Sequence, residues 1–417
     1  QEKHQTVLEK TMENSGNWKN EIPQISKTQQ PSIQQPIANI KPAMFRMSDL
    51  QFLILLKQGK ADTVHFAVAP IQLKLAYSLD LVDHPNAAPH KSHKKPTPYG
   101  GALAMVLGVS ISLFVMIPEI TKIIPKLGSN DAPWLLSVSW LFNEFKAEYI
   151  SISPLLLCGL LIVIIGLIDD SHGLSPFVRL IFQLTIALLL IFSEPTFCLN
   201  LSAIPAIDIS LTVLWVVILT NAFNFLDNMD GLSAGLGAIS TIFIGYIAFL
   251  IGDFSIALLS FTIFGALCGF LIFNLPPASI FMGDAGGMGL GFTIGALTIK
   301  LTNWGAISSD PILQLSPLLI ASIPFYDVFT VSLLRLKLGQ PPWIGDKNHI
   351  SHRLVRMGLS KQNTVLTLYL ILFLLSLPPL LAIHPSGDIK WIWITPLSII
   401  ILSAIDFYGY RNTSQNE

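Results

Sequence analysis

SPLLLCGLLIVIIGLIDDSHGLSP, residues 153–176, decides how this chain folds. An uncharged apolar run ends abruptly in Asp169 and Asp170, and a Gly, Ser and Pro turn follows. Taken from residue 150 to 168 the run is long enough to cross a hydrocarbon core, which needs about 20 residues, range about 17–25. The same pattern of apolar block and short polar break repeats on both sides. Spans are read at 101–124, 150–168, 177–193, 209–226, 232–251, 254–273, 286–302, 312–335, 363–383 and 389–409. A weaker stretch at 62–80 is interrupted by Asp62, His65, Gln72, Lys74 and Asp80, and reads as a degenerate first span or an interfacial helix. The expectation is an all-α polytopic membrane protein with about ten or eleven transmembrane helices over 61–411. Residues 1–60 are rich in Gln, Glu, Lys, Ser, Asn and Pro and read as a disordered polar tail.

Composition agrees with this reading. Of 417 residues, 52% are hydrophobic and only 12% charged, and mean hydropathy is +0.60. A soluble domain carries about twice that charge, so a soluble globular enzyme is excluded. With 25 Lys+Arg against 26 Asp+Glu there is no basic surplus, which excludes a nucleic acid partner bound through a basic surface. Cys158, Cys198 and Cys268 stand apart in apolar stretches, with neither a disulfide framework nor zinc spacing.

Counting spans assigns loops to faces. The loops 81–100, 169–176, 227–231, 274–285 and 336–362 share one face, and with their edges hold ten Lys and Arg against five opposite, which makes that face cytoplasmic. Five acids fall on it: Asp169, Asp170, Asp227, Asp230 and Asp284. Glu194, Asp208, Asp253 and Asp310 fall on the other. One boundary aspartate is as readily a solvated helix end as a functional group. Five on one face, in short loops rich in Gly and Asn, would repel one another if they converged, and a hard divalent cation with oxygen ligands would supply the counter-charge. The same face carries Lys91, His93, Lys94 and Lys95 in one loop and His349, His352, Arg353 and Arg356 in another. Taken alone, each basic group is an ordinary positive-inside anchor; acids, Mg²⁺ and basic side chains at one membrane face form a phosphoryl-transfer arrangement.

Five motifs in order now carry a resemblance. They are Asp83-x-Pro85 with Lys91-x-His93 and Gly100-Gly101; Asp169-Asp170 with Gly173-Leu-Ser-Pro176; Asn224-x-x-Asp227-x-x-Asp230-Gly-Leu; Asn274-x-Pro-Pro-Ala with Phe281-Met-Gly-Asp284; and His349-x-x-His352-Arg353-Leu. From about Leu79 to about Ser360 the chain resembles the polyprenyl-phosphate N-acetylhexosamine-1-phosphate transferases, the glycosyltransferase 4 group that also includes phospho-MurNAc-pentapeptide translocase. The resemblance implies a helical bundle in the cell membrane with a cytoplasmic active-site cleft. It implies transfer of N-acetylhexosamine-1-phosphate, GlcNAc-1-phosphate by the Arg353-Leu354 signature, from a UDP-sugar to polyprenyl (undecaprenyl) phosphate. UMP would be released and a cell-envelope polysaccharide begun. The implied cofactor is Mg²⁺, with Mn²⁺ as the alternative ion; whether the chain pairs as a homodimer is left open. Carried over by motif, Asp284 and Asp227 would bind metal and Asp170 would belong to the phosphate site. Asp169 would activate the lipid phosphate. Asn224, Asp230, Asn274 and Phe281 would line the nucleotide pocket, and Lys91, His93, His349, His352 and Arg353 would contact substrate. Two positions depart from the family pattern: His90 where an Arg is common, and Ser351 where a middle His is common.

The rivals are weaker. An ion-coupled transporter should hold its acids near midplane. An intramembrane aspartyl protease would need a Gly at Phe281 and its Tyr-Asp before, not after, Gly283-Asp284. A CDP-alcohol phosphotransferase would need an Ala-Arg run after Asp230-Gly231.

Overall fold

Helices dominate because hydrocarbon leaves a backbone no partner but itself. A computed structural model of the chain describes residues 82–83, 97–116, 133–341, 343, 348–383 and 403. The tail expected over 1–60, the stretch at 62–80 and nearly all of 389–409 lie outside the described residues, as do Lys91 and His93. A two-residue antiparallel ribbon pairs β1 (Val82–Asp83) with β2 (Thr97–Pro98). The helices α1 (Gly101–Ile111), α2 (Pro133–His172), α3 (Pro176–Ser193), α4 (Pro205–Leu226), α5 (Leu232–Ile251), α6 (Phe254–Asn274) and α7 (Gly283–Ile307) follow. Then come the short α8 (Pro311–Gln314) and α9 (Ser316–Ile320), α10 (Ser322–Lys337), α11 (Ile350–Arg356) and α12 (Lys361–Ala382).

Among the described residues, six helices are long and apolar enough to cross a membrane: the Ser151–His172 part of α2, then α3, α4, α5, α6 and α12. The chain is a multi-pass membrane protein. Position in the bundle follows from burial. Only 28% of the apolar window of α3 is covered by protein against 67% for α5, so α3 faces lipid and α5 lies inside. Phe177 and Phe192 project from α3, both 71% exposed.

Two expected spans differ from what forms. The helix expected from residue 150 starts at Pro133 and runs 40 residues. At 1.5 Å per residue that is about 60 Å, twice the hydrocarbon thickness. The charged stretch 144–148 is foreign to lipid but helix-favouring, so helix continues where membrane does not. The single span expected at 312–335 is broken into α8, α9 and α10. Pro311 and Pro317 each sit in the first turn of a new segment, because proline lacks the N–H that a continuing helix would need.

At the centre stands α7, packed against α1, α2, α4 and α5. Its glycines allow backbone-to-backbone approach. A Cβ at Gly291 would overlap the Leu219 carbonyl of α4, and one at Gly166 of α2 would overlap the Ala285 backbone. Backbone cannot swing aside as a side chain can. Gly291→Leu is therefore expected to cost about 3 kcal/mol or more, seen as loss of monodisperse protein on size exclusion in detergent. Normal yield and melting would show that α4 and α7 do not meet there.

An apolar cavity of about 360 Å³ opens between α1, α2, α6 and α7, lined by Met105, Leu113, Leu156, Val163, Ile263 and Leu290 among others. It reaches Gly286, two residues beyond Asp284.

Candidate active site

The ends of alternate helices meet at one end of the bundle. There the C-termini of α2, α4 and α6 face the N-termini of α3, α5 and α7, and three of the acidic motifs converge. Asp169 and Asp170 close α2. The carbonyl of Asp169 accepts from Gly173 N at 2.8 Å, and its Oδ1 accepts from Leu174 N at 2.7 Å. Gly173 takes φ +67°, the left-handed conformation that ends helices and suits glycine. Ser175 then caps α3, with Pro176 at its first position. The Gly-Leu-Ser-Pro run is thus the folding signal that turns the chain back beneath the acids.

One turn into α3, Arg179 reaches across. Its Nη1 donates to Asp169 Oδ2 at 2.6 Å and to Asp284 Oδ2 at 3.4 Å. The Asp284 carboxyl also lies within hydrogen-bonding reach of Asp169. The two acids differ in access: the Asp169 side chain is 3% exposed, that of Asp284 38%.

Asp170 caps the N-terminus of α7. Its Oδ1 accepts from Asp284 N at 2.8 Å and its Oδ2 from Ala285 N at 3.1 Å. A carboxylate here satisfies otherwise unpaired N–H groups and complements the helix dipole. Gly283 makes room, with φ +71°; a Cβ there would stand 2.7 Å from Asp170 Oδ2. Asp227 lies just past the end of α4 and accepts from the Gly283 N–H. Burial and the nearby charges of Asp170 and Asp230 push its carboxyl up to about 7, against the pull of the Gly283 hydrogen bond. One turn earlier Asn224 packs on Gly287, where a Cβ would come within 2.8 Å of the Asn224 Cα.

The remaining motif residues brace these loops. Asp230 Oδ2 accepts from Ala278 N at 3.1 Å. Asn274 is buried; its Oδ1 accepts from Gly231 N at 3.0 Å and its Nδ2 donates to the Ile280 carbonyl at 2.9 Å. The Phe281 carbonyl accepts from Gly101 N at 3.1 Å, and Phe281 bridges to Tyr99. Asn274 and Asp230 therefore spend hydrogen bonds on backbone, fixing the loop that precedes Asp284.

The histidine motif forms a second, buried cluster. His349 Nδ1 meets Asp327 Oδ2 at 2.6 Å, and Asp327 Oδ1 accepts from Ile350 N at 2.6 Å. Arg353 Nη2 donates to Thr330 Oγ1 at 2.8 Å and stands 3.9 Å from Asp327. Buried Arg335 lies over the Phe225 ring, 5.9 Å from its centroid. Ser351, the departure from the family pattern, donates to Asn228 Oδ1 at 2.7 Å and so joins this cluster to the loop of Asp227. His352 is half-buried on α11. Arg179, Asp327 and Asn228 thus take parts that the motifs do not announce. The one sequence signal for each was a polar residue inside or at the edge of an apolar helix.

The acids at the opposite end serve the fold. Asp253 caps α6 through Ile256 N at 3.1 Å, Asp310 caps α8 through Ile312 N at 2.9 Å, and Asp208 accepts from Ser202 N at 3.2 Å.

Among the described residues no three of His, Cys, Asp and Glu converge closely enough to hold a metal ion alone. Among the described residues the donor set around Gly283 is nonetheless all oxygen, with Arg179 paired to Asp169 and Asp284. That suits a hard cation that keeps waters and takes further ligands from phosphates. It does not suit a softer, fully protein-caged metal.

The chain is similar to known proteins along most of its length. Residues 152–302 match the profile of Glycosyl transferase family 4. A Bacillus subtilis protein described as a probable undecaprenyl-phosphate N-acetylglucosaminyl 1-phosphate transferase is 30% identical over 348 residues, 80% of this chain and 85% of the relative. A decaprenyl-phosphate N-acetylglucosaminephosphotransferase of Mycobacterium tuberculosis is 30% identical over 77% of this chain and 80% of its own. The undecaprenyl-phosphate alpha-N-acetylglucosaminyl 1-phosphate transferase of Escherichia coli K12 is 25% identical over 81% and 85%.

Proposed function

The chain belongs to glycosyl transferase family 4, among the polyprenyl-phosphate N-acetylglucosamine-1-phosphate transferases, and from that membership we propose that it transfers GlcNAc-1-phosphate from UDP-GlcNAc to undecaprenyl phosphate at the cytoplasmic face of the cell membrane. The observation that carries this reading is the gathering of Asp169, Asp170, Asp227 and Asp284 around Arg179 and the Gly283 turn. An oxygen of the lipid phosphate attacks the β-phosphorus of the nucleotide sugar. A new P–O–P linkage forms, the bond from β-phosphorus to the bridging oxygen breaks, and UMP leaves with that oxygen. The product begins a cell-envelope polysaccharide.

Asp284, the more open carboxylate, and Asp227 would hold Mg²⁺. The ion would offset repulsion between two anionic substrates and stabilise charge on the transferring group. Arg179 holds Asp284 and Asp169 at a fixed separation. A lipid phosphate is already largely ionised near neutral pH, its second pKa being about 6. Asp169, with both oxygens engaged, therefore orients more than it abstracts. Both substrates reach the cluster from different media: the nucleotide from water, the lipid from the bilayer. The apolar cavity that ends at Gly286 offers the polyprenyl chain space beside the acids. The cation excess that span counting assigns to the face of these acids supports the cytoplasmic orientation.

Purified protein in detergent, given radiolabelled nucleotide sugar, undecaprenyl phosphate and Mg²⁺, tests the proposal. UDP-GlcNAc should give labelled lipid and stoichiometric UMP, with UDP-GalNAc and UDP-MurNAc-pentapeptide at least tenfold slower. Chelation should stop the reaction. Labelled lipid from UDP-MurNAc-pentapeptide alone, or from no nucleotide sugar, would overturn it.

A further inference from the structure

Asp327 lies inside the membrane-embedded bundle and is fully buried, on a helix whose last turn carries Arg335 and Lys337. A buried carboxylate is retained only with partners, and these partners are specific. Oδ1 accepts the N–H of Ile350, the first residue of α11, whose preceding residue His349 gives that helix end no side-chain cap. Oδ2 meets His349 Nδ1 at 2.6 Å. An ionised carboxylate only accepts, so Nδ1 carries the proton. On the other side of the ring, Arg335 Nη2 stands 3.5 Å from Nε2. A guanidinium only donates, so Nε2 presents its lone pair. Arg353 stands 3.9 Å from Asp327 Oδ1.

We infer that Asp327 is a positioning residue for the transfer reaction: it fixes His349 in one tautomer and anchors the start of α11, and through Ser351 and Asn228 this sets the loop that carries Asp227. The path is continuous. Asp327 holds His349 and Ile350; Ser351 follows in the same turn and donates to Asn228 Oδ1; Asn228 is the neighbour of Asp227 and donates from Nδ2 to the Phe225 carbonyl at 2.8 Å. The arrangement has the logic of an Asp–His pair in which the carboxylate sets orientation and never touches substrate. The inference rests on the transfer reaction proposed above.

Asp327→Asn keeps the size of the side chain and an acceptor for Ile350 N, and removes the charge. It should lower kcat by about 10–100-fold, the usual loss when a supporting partner is removed, and leave KM for UDP-GlcNAc within about threefold. His349→Asn, whose Nδ2–H takes the place of the imidazole Nδ1–H, should keep more activity than His349→Ala. The double variant D327N/H349A should be no slower than H349A, because the two residues act as one unit. ¹⁵N-histidine spectra, with His349 assigned from its own variant, should show Nδ1 protonated and Nε2 bare in the native protein and this pattern lost in Asp327→Asn. An unchanged kcat in a stable D327N protein, multiplying losses in the double variant, or a native Nε2–H tautomer would each overturn the inference. If the native protein is inactive with every nucleotide sugar, the proposed reaction falls, and the tautomer spectra still decide whether Asp327 sets His349.

Discussion

Asp284→Ala is expected to lower the transfer rate by about 10³-fold, near 4 kcal/mol of transition-state stabilisation, the upper range for losing one preorganised charge contact. Asp284 stands in the first turn of α7, 38% exposed, within reach of Asp169 and beside Asp170. Its backbone N–H is held by Asp170, so the turn keeps its shape without the side chain. Among the described residues the ion pair lost is the 3.4 Å contact with Arg179, between side chains 20% and 38% exposed, and worth under about 1 kcal/mol. Stability should therefore change little while turnover collapses, and Asp284→Asn should fall between native and alanine forms. The check is initial rate against Mg²⁺ concentration, with a detergent melting curve beside it. A native rate in Asp284→Ala would remove this residue from the metal assignment; a collapsed melting curve would make it a folding residue.

The bundle was largely legible because lipid enforces a simple grammar. The span read at 232–251 coincides with α5, since Gly231 and Gly252 both take positive φ and punctuate it. Counting spans also assigned the five acids to one face, and the ends of α2, α4 and α7 do meet there. Parity, however, says which face a residue occupies and nothing about its partner. Nothing in the spacing of Arg179 announced that one guanidinium nitrogen would bridge Asp169 and Asp284, 10 and 105 residues away. Asp327 is one acid inside an apolar stretch, and its partner His349 lies 22 residues further on, outside any local pattern. The breaks at Pro311 and Pro317 were visible as prolines, yet a hydropathy window averages over them. Asn274 has a pocket role by motif, and its side chain also clasps two loops together, which the motif does not announce. Motifs mark which residues matter together, and only contacts separate the group that meets substrate from the group that holds it in place.

Arg179 offers the sharper test of the electrostatics. Arg179→Ala should cost about 10²–10³-fold in kcat and destabilise the fold by about 2–3 kcal/mol. Removing one partner of a buried pair costs about 3–5 kcal/mol, and the 20% exposure of Arg179 discounts that. The Asp169 side chain, 3% exposed, would keep Leu174 N as a donor and lose its 2.6 Å cation, while the charge of Asp284 remains beside it. Arg179→Lys discriminates further. Both contacts run through the same atom, Nη1, and not through the two-pronged fork that distinguishes arginine. A single ammonium reaching that point could serve both carboxylates, so Lys should restore the rate to within about tenfold of native. The Mg²⁺ dependence should move in the opposite sense to the rate. Arg179 competes with any cation for Asp284, so the alanine variant should half-saturate at lower Mg²⁺ even as its maximum falls. A variant that needs more Mg²⁺ than the native protein would mean that Arg179 helps to build the cation site instead of competing for it, and a native kcat would mean that the ion pair serves stability alone.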